Sequence, residues 1–222
     1  MSEPIRVLIA DDEALVRAGL RALIQASPGV ETVGEAATGD EALRVAQQAD
    51  PDVVLMDVRM PVMNGTEATA HLVARGLRAK VLIVTTFDDD EVVFAALRSG
   101  AAGFVLKDTA PERLIEAIRT VAAGDALLSP SVTRRLIGEF VARSPEVRVP
   151  HDRLDGLTRR ECDVLRAIAA GQNNDEIGAA LFISVTTVKT HISRLLAKLG
   201  VRSRTQLAIA AYETGLVVPG SR

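Results

Sequence analysis

The side chains best suited to chemistry in the first half of the chain each follow a short apolar run rich in β-branched residues. They are Asp11 and Asp12 after Ile5–Ala10, Asp57 after Val53–Met56, Thr85 after Val81–Val84 and Lys107 after Phe104–Leu106. Such runs predict strands, and in an open parallel sheet the C-terminal strand ends face one crevice. Three carboxylates, a hydroxyl and an ammonium are therefore expected to meet there. Carboxylate oxygens suit Mg²⁺, and a carboxylate can also act as a nucleophile that takes a phosphoryl group.

The elements that would position these side chains alternate five times between strand and helix patterns. The predicted strands are Ile5–Ala10, Val30–Ala36, Val53–Met56, Val81–Val84 and Gly103–Leu106. The predicted helices are Glu13–Ala26, Asp40–Gln48, Gly65–Arg75, Asp89–Ser99 and Pro111–Ala123. This alternation is typical of an α/β doubly wound sheet, here with five parallel strands and helices on both faces.

The last part of the chain has helical patterns only. A capping box, Thr158 with Glu161, opens the first helix, which stops at Gly171. Asn174 is predicted to cap the helix Asp175–Leu181, and Ser184 the helix Val185–Leu199. The final helix is predicted at Thr205–Thr214. Two short helices joined by a tight turn describe a helix-turn-helix. The intervening residues predict one connecting helix, Ser129–Arg143, and a linker, Ser144–Asp155.

Charge is distributed unevenly along the 222 residues, whose formal net charge is −3. Residues 1–150 carry 16 Lys/Arg and 22 Asp/Glu, whereas residues 151–222 carry 10 Lys/Arg and 7 Asp/Glu. The acidic first part suits a cation, and the basic second part is compatible with a nucleic acid.

The cysteine content and the hydropathy of the chain indicate its cellular compartment. A single cysteine, Cys162, excludes an internal disulfide and fits a reducing cytoplasm. Its spacing from Leu165 and Ala169 favours a buried core position over a reactive thiol. No apolar run approaches the ~18 residues that span a membrane, and no secretory start is visible. We therefore expect a cytoplasmic protein without a membrane partner.

The first part, over about residues 5–123, resembles the receiver domain of a bacterial two-component response regulator. The acidic pair, Asp57, Thr85 and Lys107 occur in that family's order, and Met60–Gly65 is similar to its M-P-x-M-D-G loop, with Asn64 in place of Asp. The resemblance implies that Asp57 is the phosphoacceptor.

The same resemblance implies roles for the neighbouring residues. Mg²⁺ would be held by Asp12, Asp57 and the backbone carbonyl of Arg59, with Asp11 contributing through water. Lys107 would pair with the phosphoryl oxygens, Thr85 would hydrogen-bond the phosphoryl group, and Phe104 would be the mobile switch aromatic.

The last part, over about residues 154–215, resembles the LuxR/NarL-type DNA-binding domain. The motifs are Leu157–Glu161, Gly171–Gly178, Ser184–His191, Lys198-Leu199 and Arg202–Arg204. Departures are Asp175 for Lys, Gly178 for Ala and Ser193 where some relatives carry a base-reading Lys. The implied DNA contacts are Ser184, Thr186, Thr187, Lys189, Thr190, Ser193, Arg194 and Arg204. The implied dimer contacts are Thr205, Ala208 and Tyr212.

Together these features predict a receiver domain at 1–124, a connecting helix and linker at 125–153 and a helix-turn-helix domain at 154–222. The predicted protein is not an enzyme. It takes phosphate from a sensor histidine kinase or a small phosphodonor and then binds double-stranded promoter DNA as a homodimer.

Two alternatives compete with this prediction. One is an orphan regulator whose receiver serves as an interaction module independent of phosphorylation. The other is a haloacid-dehalogenase-type phosphatase, which needs a second Asp two residues after the nucleophile, where this chain has Arg59.

Overall fold

Five parallel strands form the sheet of the first part, in the spatial order β2-β1-β3-β4-β5. The strands are β1 Ile5–Ala10, β2 Val30–Ala36, β3 Val53–Met56, β4 Lys80–Thr85 and β5 Gly103–Leu106. The computed structural model describes residues 3–86, 95–124, 154 and 156–217. The chain divides into two compact units, Met1–Leu127 and Leu128–Arg222.

Helices flank the sheet of the first unit. They are α1 Ala14–Gln25, α2 Gly39–Ala49, α3 Gly65–Ala74 and α4 Pro111–Ala122. Residues 95–98 are also helical and belong to the predicted helix Asp89–Ser99, whose first part lies outside the described residues. The predicted connecting segment 125–153 lies outside them as well. The predicted α/β fold with a five-stranded parallel sheet is confirmed.

The three central strands, β1, β3 and β4, are buried on both faces because helices cover each side. Val7 and Ile9 of β1 belong to one core cluster, together with Ile24 of α1 and Ile118 of α4. Leu8 alternates with them and faces the other side of the sheet. There, Leu8 Cδ1 and Cγ1 of Val45 in α2 both lie within 4 Å of the place that a Cβ on Gly34 would occupy. This two-residue period turns successive side chains of a strand to opposite faces. Because helices cover both faces of the sheet, β3, Val53–Met56, is apolar at every position.

Helices alone make up the described part of the second unit. They are α5 Arg159–Ala169, α6 Asn174–Leu181, α7 Val185–Leu199 and α8 Arg204–Glu213. The predicted capping box of α5 and the predicted cap of α7 by Ser184 are confirmed. Within the described ranges, no helix has both the length and the hydropathy that a bilayer crossing requires.

The start of α6 corrects one prediction. Asn173, not Asn174, is the N-cap: its Oδ1 accepts a hydrogen bond from the Glu176 N–H at 2.9 Å, and Glu176 accepts one from the Asn173 N–H at 2.7 Å. A capping box needs the acidic residue three positions after the cap, and Glu176 stands three after Asn173. Asn174 is the first helical residue and has a different contact, described below.

Candidate functional site

Backbone hydrogen bonds align the C-terminal ends of the strands of the first unit. The Asp57 N–H donates to the Ala10 carbonyl at 2.8 Å, and the Lys107 N–H donates to the Thr85 carbonyl at 2.8 Å. These bonds continue the ladders of β1 with β3 and of β4 with β5 by one step. The side chains that follow the strands therefore begin at one edge of the sheet, as the sequence predicts.

The ammonium of Lys107 joins three carboxylates at this edge. Its Nζ lies 2.7 Å from Asp11 Oδ2, 3.0 Å from Asp57 Oδ2 and 3.3 Å from Glu13 Oε1. The Lys107 side chain is 11% exposed, and Asp11 and Asp57 are buried. Burial of two carboxylates is tolerated because the cation is in direct contact with both of them.

This arrangement shifts two pKa values. Burial raises the pKa of the Asp57 carboxyl, and the charge of Asp11 adds to that effect, whereas the hydrogen bond and charge of Lys107 and the backbone N–H of Arg59 oppose it. Burial alone would lower the pKa of Lys107, but its hydrogen bonds to Asp11 and Asp57 and their negative charges raise it overall. Lys107 is therefore a permanent cation beside the carboxylates.

Asp11, Asp12 and Asp57 form an acidic cluster of the kind that suits a hard cation. One carboxylate oxygen from each lies within 4.8 Å of the others. Asp11 and Asp57 are buried, whereas Asp12 is exposed and leaves the cluster open to solvent. Oxygen ligands at such spacing fit Mg²⁺, which keeps several of its waters when it binds to carboxylates.

Thr85 and Phe104 lie on the neighbouring strands, β4 and β5. Thr85 is the last residue of β4, one position inside the strand rather than after it, and is fully buried. Phe104 is half-buried and pairs across the ladder with Ile83. Their roles as phosphoryl contact and switch aromatic remain predictions.

Gly65 is a residue of the site whose role sequence reasoning missed. A Cβ at this position would lie 1.9 Å from the Asp57 carbonyl oxygen and 2.9 Å from Met56 Cγ. The Gly65 N–H donates to the Val58 carbonyl at 2.9 Å, which closes the loop between β3 and α3. Asn64, which replaces the family's Asp, caps α3: its Oδ1 accepts a hydrogen bond from the Glu67 N–H at 2.8 Å.

Glu13 and Arg17 also belong to the site, and sequence reasoning missed them. Their spacing in the sequence does not indicate that they contact the residues at the strand ends. The Glu13 N–H donates to Asp11 Oδ1 at 2.9 Å, and the Glu13 carboxylate reaches Lys107, so the residue is more than a helix start. The Arg17 guanidinium donates to the backbone carbonyls of Asp11 and Asp12, at 2.7 and 3.2 Å. Arg17 thereby fixes the backbone that carries the acidic pair.

The second unit exposes most of the predicted DNA contacts on one face of α7. Thr187 is half-buried, and its hydroxyl is 2.8 Å from Ser184 Oγ at the helix cap. The exposed members are Ser184, Thr186, Lys189, Thr190, Ser193 and Arg194. Val188, Leu195 and Leu199 occupy the opposite, buried face. The helix α7 carries three Lys or Arg residues and no carboxylate, which suits an anionic partner.

Arg204 differs from the other predicted DNA contacts. Its guanidinium donates to Asn174 Oδ1 at 2.8 Å and to the Gln172 carbonyl at 2.6 Å. These bonds tie the start of α8 to the start of α6. Arg204 thus has a structural contact inside the second unit, and its contact with DNA stays a prediction.

Thr205, Ala208 and Tyr212 are buried, with exposed fractions of 2%, 2% and 6%. The Tyr212 hydroxyl donates to the Ala169 carbonyl of α5 at 3.3 Å. The three side chains therefore belong to the packed interior of the chain. The dimer contact expected of these three residues stays a prediction.

An ion pair with a buried carboxylate joins the start of α5 to α7. The Glu161 carboxylate accepts from Lys198 Nζ at 2.8 Å and from the Thr158 N–H at 2.7 Å, and Glu161 is 2% exposed. Lys198 also donates to the Gly156 carbonyl at 3.0 Å. The hydrogen bond from Lys198, followed by the bond from Thr158, lowers the pKa of Glu161 to about 2.

This pair predicts an acid-sensitive second unit. A carboxyl with a depressed pKa contributes stability that is present above its ordinary pKa, here 4.5, and is lost as pH falls through about 2. Glu161→Gln should lower the free energy of unfolding at pH 7 by roughly 1.5–3 kcal/mol, because it removes a charge-assisted hydrogen bond. It should also flatten the pH dependence between these limits. Hydrogen exchange at the α5 amides of the full chain measures both effects.

Glu176→Gln is the matched control, since Glu176 occupies the same capping-box position in α6 but is exposed. It should leave the acid limb of the α5 stability profile unchanged. Equal flattening by both variants would contradict the assignment to the Glu161–Lys198 pair.

Two family descriptions match the chain in the same order as the two units. The response regulator receiver domain matches residues 7–119, and the luxR family of bacterial regulatory proteins matches residues 155–211. Both resemblances expected from the sequence motifs are confirmed.

Similar proteins extend over nearly the whole chain. An uncharacterized transcriptional regulatory protein, YhcZ of Bacillus subtilis (strain 168), is 44% identical over 213 residues, which cover 96% of this chain and 97% of YhcZ. The transcriptional regulatory protein LiaR of the same organism is 40% identical over 213 residues, covering 96% of this chain and 99% of LiaR. Among solved structures, the receiver domain of a putative response regulator NarL from Mycobacterium tuberculosis is 37% identical, with a TM-score of 0.54 over 55% of this chain and 99% of that one.

One assignment follows from the acidic cluster at the strand ends, from the helix-turn-helix with its basic α7 and from these matches. The chain belongs to the two-component response regulators of the LuxR/NarL type, which are transcription regulators with a receiver domain and a DNA-binding helix-turn-helix domain, and it is not an enzyme.

Proposed function

We propose that this response regulator accepts a phosphoryl group on Asp57 from a sensor histidine kinase, and that the phosphorylated chain binds promoter DNA as a dimer. The observation that carries the proposal is the contact of one ammonium, Lys107 Nζ, with both Asp11 and Asp57 at 2.7 and 3.0 Å. One edge of the sheet thereby combines three groups: a nucleophilic carboxylate, a cation for the transferred phosphoryl oxygens and an acidic cluster for a metal.

In the proposed transfer, a carboxylate oxygen of Asp57 attacks the phosphorus atom of a phosphohistidine. An O–P bond forms, the P–N bond breaks, and its electron pair goes to the imidazole nitrogen of the kinase. Lys107 remains charged throughout, because its pKa is raised. Its ammonium can donate charge-assisted hydrogen bonds to the phosphoryl oxygens during the transfer. A small phosphodonor would react in the same way, with a P–O bond as the one that breaks.

The acidic cluster is proposed as the Mg²⁺ site, with Asp11, Asp12, Asp57 and the backbone carbonyl of Arg59 as its holders. When bound, the metal ion would neutralise negative charge that develops on the phosphoryl oxygens. The exposure of Asp12 beside two buried carboxylates supports this assignment, because Mg²⁺ exchanges with solvent and retains water ligands.

The response to phosphorylation is proposed to start at Thr85 and Phe104. Thr85 would hydrogen-bond the new phosphoryl group, and Phe104, half-buried on the adjacent strand, would turn inward. A local electrostatic event of this kind can bias an element that has two stable arrangements.

Binding to DNA is proposed to use the exposed face of α7. A helix-turn-helix places its second helix in the major groove, and α7 presents Lys189 and Arg194 beside exposed hydroxyls. One such unit makes few phosphate contacts, so a single copy should bind weakly. Two copies would read paired half-sites about one helical turn apart, or a multiple of it.

The test uses the full chain and labelled acetyl phosphate, with and without Mg²⁺. We expect one phosphoryl group per chain with Mg²⁺ and almost none when the metal is chelated. The phosphorylated chain should sediment on an operator duplex with two protomers per duplex. Labelling that is insensitive to chelation would contradict the metal assignment, and one protomer per duplex at saturation would contradict the dimer.

A further inference from the structure

An apolar side chain stands at the start of the otherwise polar exposed face of α7. Val185 is the first residue of this helix and is 36% exposed. Among the described residues it is one of four large exposed hydrophobic side chains, and a second one, Phe182, lies three residues earlier in the turn. The fold of the second unit therefore leaves part of the Val185 side chain accessible beside the predicted DNA contacts.

Helical periodicity places Val185 in line with the predicted DNA contacts. Residues four apart lie one above the other on a helix, so Val185, Lys189 and Ser193 form one row. Thr186, Thr190 and Arg194 form the adjacent exposed row. Val185 occupies the N-terminal end of its row, and this end of a recognition helix is the part that contacts base edges.

The side chain of Val185 lies near the helix before the turn. Its Cγ2 lies 3.9 Å from the place that a Cβ on Gly178 would occupy. Gly178 also lets the turn come close to α6: its carbonyl accepts from the Ile183 N–H at 3.0 Å, and a Cβ there would lie 2.9 Å from the Ile183 carbonyl oxygen. A β-branched side chain in a helix has one strongly preferred rotamer. Val185 is therefore a rigid apolar group rather than a mobile one.

We propose that Val185 reads the C5-methyl group of a thymine in the major groove of the operator half-site. Thymine alone among the bases offers a methyl group there, and it is recognised by apolar contact. The proposal rests on the proposed function, since it requires α7 to lie in the groove. A duplex is favoured over a protein as the occupant because the exposed rows of α7 carry Lys189 and Arg194 and no carboxylate.

The test removes the methyl group from the DNA and the valine from the protein, separately and together. An operator is first selected from random duplexes with the phosphorylated full chain, and each thymine of a half-site is then replaced by uracil. We expect one position at which uracil weakens binding about fourfold, the effect of one buried methyl group. Val185→Ala should weaken binding to the thymine duplex and abolish the difference between thymine and uracil at that position.

Three control variants make the assignment specific to Val185. Thr190→Ser removes only a methyl group from the adjacent row, and Lys189→Ala removes the ammonium one turn later. Phe182→Ala removes the exposed aromatic ring of the turn. Each of these variants should keep the fourfold difference between thymine and uracil at the position assigned to Val185.

The outcomes separate failure of this inference from failure of the proposed function. Specific binding in which no thymine position responds to uracil, or in which the response is lost with Thr190→Ser and kept with Val185→Ala, overturns the inference alone. If Val185→Ala changes self-association and leaves the uracil response intact, Val185 takes part in a protein contact, which also overturns the inference. Failure to select any specific duplex overturns both.

Discussion

Asp57→Asn should abolish phosphoryl transfer to the chain and leave the fold intact. Asparagine keeps the size of the side chain and removes the nucleophilic oxygen. Burial raises the pKa of Asp57, so the fold disfavours its charge, and Lys107 retains Asp11 at 2.7 Å as a partner. We therefore expect little loss of stability. Labelling by acetyl phosphate with Mg²⁺, followed by intact mass, measures the transfer, and hydrogen exchange at β1 and β3 reports the fold.

Asp108→Asn is the control for this variant, because Asp108 follows Lys107 directly and is exposed. It should be labelled like the unaltered chain. Labelling of Asp57→Asn at the unaltered level would reject Asp57 as the acceptor. Labelling without any phosphate-dependent change in DNA binding would favour an orphan regulator.

Gly65→Ala should distort the backbone at Asp57 and damage both stability and labelling. The added Cβ would lie 1.9 Å from the Asp57 carbonyl oxygen, which is a backbone atom and cannot rotate away. Overpacking of this kind costs about 1–3 kcal/mol. Labelling should slow roughly 100-fold if the carboxylate moves by about 1 Å. Hydrogen exchange at β1 and β3 and the initial rate of labelling measure the two effects.

Gly19→Ala gives the matched comparison, because Gly19 lies within α1 and an added Cβ there would meet nothing within 4 Å. It should stabilise the first unit by about 0.5–1 kcal/mol, the helical preference of alanine over glycine. If Gly65→Ala also stabilised the unit and was labelled at the normal rate, the close approach to Asp57 would have no functional meaning.

Local signals were sufficient for most of the elements. Four of the five strands have the predicted bounds, because a short apolar run that is rich in β-branched residues and bounded by polar residues favours a buried strand. The extension of β4 to Lys80–Thr85 was not predicted, since it depends on pairing with both neighbouring strands. The caps of α5 and α7 were predicted because a cap is a contact within four residues.

The sequence by itself determined which side chains gather at the strand ends, because parallel topology sends every C-terminal strand end to one edge. Only the tertiary structure decided how they pair. Lys107 contacts Glu13 as well as Asp11 and Asp57, and Arg204 binds Asn174. These contacts join residues far apart in the chain, at distances that no spacing rule contains. The same holds for the need for glycine at position 65, which arises from the approach of two backbone segments.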